Sequence, residues 1–104
     1  MHARCVEFHS YREGGGLLDP GHRDTGSTIT LSEQLSQPGA AEDGGRFVTT
    51  NADGLSTQYE LAPGDAVLFC SHMIHGVTQL CKGTRNSLVL EWWDQAANVK
   101  NRDR

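Results

Sequence analysis

The sequence has no apolar run long enough to cross a bilayer as a helix, and its opening "MHARCVEFHSYREGG" lacks the apolar stretch of a secretory signal. Cysteine is scarce. Cys5, Cys70 and Cys81 form no CxxC pair, which excludes a disulfide framework and a thiolate zinc site. Cys70 and Cys81 lie in apolar-flanked segments and are expected to pack as small hydrophobes. Nine Lys and Arg, scattered among thirteen Asp and Glu, give a formal charge of -4 and argue against binding nucleic acid through its phosphates. No amphipathic helix, internal repeat or interior linker is legible. A soluble protein, cytoplasmic by default, with one domain over residues 1–104, is the expectation.

What the chain does have is glycine, twelve in 104 residues, punctuating short β-prone runs. These runs are Val6 to Tyr11, Ser27 to Leu35, Arg46 to Thr50, Thr57 to Leu61 and Ala66 to Cys70, the last an unbroken apolar strand. "APGD" places Pro63 and Gly64 at the centre of a type II turn. A hairpin is predicted from His75 to Cys81 and Thr84 to Trp93, joined through Lys82 and Gly83. In Ser27 to Leu35, Thr28, Thr30, Ser32 and Gln34 share one face, and Ile29, Leu31 and Leu35 share the other. The apolar face is expected to pack and the polar face to line something polar. The fold class is all-β and mainly antiparallel, a sandwich or jelly roll, with its core over 6–93 and a polar tail over 94–104.

The run "DPGHRDTGS" sets His22 and Asp24 two residues apart, so an extended backbone points imidazole and carboxylate to one side. A third ligand must come from elsewhere, and His72 and His75 are the candidates, His75 opening a strand and His72 sitting in the turn before it. Two histidines and one carboxylate leave coordination positions open, an arrangement that suits non-haem Fe(II) and also catalytic zinc. The ligands alone do not choose between the two metals. In "GTRNSL", Arg85 and Ser87 point to one side of the strand expected to pair with that of His75. An arginine fork there suits a carboxylate.

Taken together, "YREGGGLLDPGHRDTGS", "LSQPG", "DGGRF", "LAPGDAVLF", "SHMIHGV" and "GTRNSLVLEWW" resemble the iron(II)- and 2-oxoglutarate-dependent dioxygenases of the prolyl 4-hydroxylase-like branch. The resemblance covers Tyr11 to Trp93. It implies a double-stranded β-helix, cupin-like in form, with Fe(II) held by His22, Asp24 and His75. It also implies 2-oxoglutarate chelating that iron and meeting Arg85, with Ser87 nearby, and Tyr11 and Gln34 as further cosubstrate contacts. The implied reaction consumes dioxygen, converts 2-oxoglutarate to succinate and hydroxylates a substrate C–H, with peptidyl proline the leading substrate and ascorbate a reductant. Catalytic domains of this kind carry a longer N-terminal portion that buttresses the major sheet. About ten residues precede Tyr11, so the chain is expected to lack those elements.

Two alternatives remain beside this reading: an inactive or truncated dioxygenase-like domain, and a cupin-like metal-binding protein that does not use 2-oxoglutarate. His2 and His9 have no partner at useful spacing and are expected to be structural or exposed. Trp92 and Trp93 face opposite ways, so packing is their expected role. Asp65, after the Pro-Gly turn, is expected to be satisfied locally.

Overall fold

Residues 1–94 are described by a computed structural model; the predicted tail over 94–104 lies outside them except for Asp94. The strands are β1 (His2–Tyr11), β2 (Ile29–Gln34), β3 (Phe47–Thr50), β4 (Ser56–Gln58), β5 (Ala66–Cys70), β6 (Ile74–Val77) and β7 (Arg85–Trp93). A single 3₁₀ turn, Ala41–Asp43, accompanies them among the described residues. No helix here is long and apolar enough to cross a membrane. β1 and β2 overlap their predicted runs, while the Thr57 to Leu61 run shortens to β4.

All pairings are antiparallel and fall into a four-stranded sheet ordered β1-β7-β2-β5 and a three-stranded sheet ordered β4-β3-β6. Leu17 bridges to Val77 and extends the second sheet with the loop that follows β1. That loop comes so close to β6 that a Cβ on Gly76 would stand 2.8 Å from the Leu17 carbonyl oxygen. Glycine is what lets the loop seat beside His75. The predicted type II turn is present, with Gly64 at φ 92° and the Asp65 amide donating to the Ala62 carbonyl at 3.0 Å. Asp65 is satisfied locally, accepting from the Ala62 amide at 2.9 Å.

The predicted hairpin does not form. β6 pairs with β3, whereas β7 runs between β1 and β2 in the other sheet. The connecting backbone is claimed by other segments: the Thr78 amide donates to Arg46, that of Leu80 to Gly15 and that of Cys81 to Asp43. His75 and Arg85 therefore face each other across the interior instead of lying along one ribbon.

The interior is unusually polar for a small β domain. Phe47, Phe69 and Val77 form the buried apolar cluster, with Leu17, Tyr59 and Met73 packed against it. Around them lie Thr30, Ser32, Ser71, Ser87 and Glu91, each at most 3% exposed. β2 thus turns its Thr/Ser/Gln face inward, and its Ile29 and Leu31 face is the outer, half-covered one, the reverse of the packing expected for that apolar face. β5 lies at the sheet edge and buries only Phe69, leaving Ala66, Leu68 and Cys70 outside. Cys70 and Cys81 are both exposed, contrary to the burial expected of them. Apolar flanks alone misassigned them: alternation on the edge strand β5 turns Cys70 outward, and Cys81 lies in the irregular segment between β6 and β7.

Candidate metal centre and its cavity

His22 and Asp24 lie on the irregular stretch between β1 and β2. The His22 amide donates to Asp19 at 3.2 Å and the Asp24 amide to Ser71 at 2.9 Å, fixing the segment beside β5 and β6. His75, on β6, donates its amide to the His22 carbonyl at 3.1 Å, so backbone bonding alone draws two distant segments together. One ligand atom from each of His22, Asp24 and His75 lies within 4.8 Å of the other two. Both imidazole Nε2 atoms approach the same Asp24 Oδ1, at 3.2 Å from His22 and 3.3 Å from His75. His72 is exposed and belongs to an outer groove with Arg23 and Met73, away from this cluster.

The outer contacts prepare this trio for a cation. The His75 Nδ1–H donates to the Met73 carbonyl at 2.9 Å, so a neutral ring presents the Nε2 lone pair to the carboxylate oxygen. Two lone pairs facing each other are relieved by a metal ion between them. The other oxygen, Asp24 Oδ2, accepts from the Thr30 hydroxyl at 2.8 Å. Thr30 then accepts from Ser71 Oγ at 2.7 Å, since its own proton is already donated. Asp24 is 3% exposed, and Phe69 packs against the His75 ring with centroids 4.7 Å apart. Three protein ligands with one open side fit a catalytic metal.

The open side faces a cavity of about 110 Å³, room for several waters or a small organic molecule. Its far wall is made by Tyr11 on β1 and by Arg85, Ser87 and Val89 on β7. Arg85 is 3% exposed, and its Nε and Nη2 have no hydrogen-bond partner among the described residues. Burial lowers its pKa, an effect that Tyr11 partly opposes. A buried guanidinium with two idle donors calls for an anion, and a carboxylate satisfies such a fork in two parallel bonds. Tyr11 stands opposite Arg85 in register.

Gln34 lies apart from this wall. It is buried, but its Nε2 donates to the Ser36 carbonyl at 2.9 Å, and it faces a separate cavity near Pro38, Arg46 and Leu80. The structure thus brings together His22, Asp24, His75, Arg85, Ser87 and Tyr11, and leaves Gln34 outside. His9, expected to be structural or exposed, lines the cavity, and sequence reading passed over Glu91, which is fully buried and accepts from Ser27 Oγ at 2.6 Å. Period-two alternation back from Tyr11 and forward from Arg85 is the signal that reaches both. Cys5, Glu7 and Glu91 also bring ligand atoms together, but Arg4 Nη1 lies 3.6 Å from Glu91 and already supplies positive charge there. A β-bulge between Ala3 and Cys5 turns Arg4 inward, over the Trp93 ring at 4.9 Å.

No protein-family model matches the chain. No curated protein matches it either. Solved structures do. A Pseudomonas putida prolyl-4-hydroxylase superposes with a TM-score of 0.76 at 23% identity, over 86% of this chain and 52% of that one. The fold is the double-stranded β-helix. A Trichoplax adhaerens prolyl hydroxylase, solved with a hypoxia inducible factor peptide fragment, gives 0.77 at 18% identity, over 90% and 45% of the two chains. A 2OG-Fe(II) oxygenase family oxidoreductase from Burkholderia pseudomallei gives 0.67 at 21%, over 86% and 42%. The chain spans about half the length of the β-helix proteins it matches.

Proposed function

We propose that the chain carries the catalytic β-helix of an Fe(II)- and 2-oxoglutarate-dependent oxygenase, with a C–H bond as its target and peptidyl proline as the leading substrate. The observation that carries this reading is the idle, buried Arg85 fork across one cavity from His22, Asp24 and His75. His22, Asp24 and His75 would hold Fe(II), and Arg85 would hold the distal carboxylate of 2-oxoglutarate, with Ser87 and Tyr11 beside it. When bound, the metal and cosubstrate supply the oxidation, consuming dioxygen and releasing succinate and carbon dioxide.

The protein's own part is placement. Met73 sets the tautomer of His75, Thr30 and Ser71 fix the carboxylate of Asp24, and Phe69 and Phe47 shield the inner side from water. A peptide substrate accords with the Trichoplax adhaerens neighbour, which was solved with one. Ascorbate would serve as an external reductant.

Anaerobic titration with Fe(II) and 2-oxoglutarate tests the reading through the visible charge-transfer band of the chelate. The band should form in the wild type, weaken in Arg85→Ala, vanish in His75→Ala and survive in His72→Ala. A band indifferent to Arg85 would favour a cupin-like metal site without 2-oxoglutarate, and no band in a folded chain would favour an inactive domain.

A further inference from the structure

Among the described residues, Arg85 alone lines both the metal cavity and a second cleft of about 240 Å³ at the far end of β7. Asp43, Arg46, Lys82, Gly83 and Thr84 also bound that cleft. The order of the strands brings them there. The segment that fails to close a hairpin from β6 to β7 crosses this end of the fold, and Lys82, Gly83 and Thr84 lead directly into Arg85.

The cleft has a surplus of positive charge. Arg46, 5% exposed, donates Nη1 to the Gly44 carbonyl at 3.2 Å and Nη2 to that of Gly39 at 2.7 Å, and Glu60 meets its charge at 3.6 Å. Asp43 offers one further carboxylate. Against it stand Lys82, which is exposed, and Arg85, whose Nε and Nη2 are buried without a hydrogen-bond partner among the described residues. Two cations against one carboxylate leave one net positive charge. The backbone adds donors. Gly83 takes φ 87°, the left-handed conformation with which a turn gathers successive amides round an anion. The amides of Lys82, Gly83 and Thr84 have no carbonyl partner among the described residues. A Cβ on Gly83 would meet nothing within 4 Å, so the space beside it is open.

We propose that this outer cleft is a second anion site, taking a small oxyanion of the carboxylate or phosphate type on Lys82, the 82–84 amides and the Arg85 guanidinium. Cationic donors combined with turn amides are the chemistry that such groups select. Two anions that draw on one guanidinium oppose each other. An occupant of the outer cleft therefore weakens 2-oxoglutarate binding in the metal cavity, and by linkage the reverse holds; this consequence alone rests on the reading of the metal cavity given above.

The test follows the Gly83 amide resonance of the metal-free chain. Sodium sulfate, tetrahedral like phosphate, and sodium acetate are the probes, with sodium chloride at equal ionic strength as the reference. At least one oxyanion should shift the resonance saturably where chloride does not, sulfate alone marking a phosphate type of ligand and acetate alone a carboxylate. Lys82→Ser should weaken that affinity about fivefold, the upper range for an exposed ion pair. Arg85→Leu should abolish it. Equal shifts from chloride, or undiminished affinity in either variant, would overturn the site, since an ion indifferent to Lys82 sits in the metal cavity instead. Should Arg85→Leu fail to fold, Lys82→Ser decides. In a parallel titration with Fe(II), saturating oxyanion should raise the 2-oxoglutarate concentration for half the charge-transfer band about fivefold, the low end of ordinary coupling, and Lys82→Ser should blunt the effect. An unchanged half-point overturns the coupling. A normal band without a Gly83 response refutes the outer site alone, and a Gly83 response without a band refutes the oxygenase reading alone.

Discussion

Tyr11 stands directly across from Arg85 on the neighbouring strand, and each alters the other's titration. Burial holds the Tyr11 phenol above its ordinary 10.0, while Arg85 pulls it down and Glu7 pushes it up. The folded chain keeps this proton where an unfolded chain releases it. Its contribution to stability is complete below the ordinary value and is lost as pH rises through the folded one. Thermal melts from about pH 9 to about pH 11 should decline, and Tyr11→Phe should decline less steeply. Parallel curves would remove Tyr11 as a source.

In the cosubstrate-free chain Arg85 costs stability, because its Nε and Nη2 are buried with no partner among the described residues. Arg85→Leu should raise the melting temperature of the cosubstrate-free chain, by about 1–2 kcal/mol of stability. The same variant should lose all stabilisation by added 2-oxoglutarate. A lower melting temperature for Arg85→Leu would mean that the guanidinium is already satisfied.

Thr30 touches the proposed metal centre through Asp24, to whose Oδ2 it donates. Thr30→Val keeps the shape and removes the hydroxyl, so metal affinity should fall about 10- to 100-fold with little change in fold. Calorimetric titration with Mn(II) reads this directly. Unchanged affinity would show that Asp24 is oriented by its backbone alone.

The outer face of the larger sheet is an ordered apolar lattice. Val6 pairs with Leu90, Leu90 with Leu31, and Leu31 with Leu68, one row across all four strands. Val6 and Leu68 are 61% and 64% exposed, and Phe8 is 62% exposed in the next row. A patch of this kind lowers solubility. Leu68→Lys should raise the concentration at which light scattering appears and leave the Fe(II) titration unaltered, since position 68 points away from the cavity.

Much of the site was legible because its signals are local. His22 and Asp24 need only an extended backbone between them, and the Pro63–Gly64 turn needs only its own residues. The misreadings came where partners are distant in sequence. The hairpin from His75 to Trp93 failed because Arg46, Gly15 and Asp43 compete for its backbone, and no local rule ranks those competitors. β2 was read with its apolar side packed, a sound rule for a dry core and the wrong one for a cavity lined with hydroxyls. Gln34 followed β2 inward, but its amide met Ser36 first. His9 looked alone because its partner, Glu7, is an ordinary acidic residue two positions away.

That hydroxyl lining has a consequence for anyone engineering the chain. Selection for thermal endurance alone would reward Val at positions 32 and 87, and Leu at 85, because each dries the interior. Such a lineage would climb steadily in melting temperature and arrive at a firmer barrel with nothing left to hold.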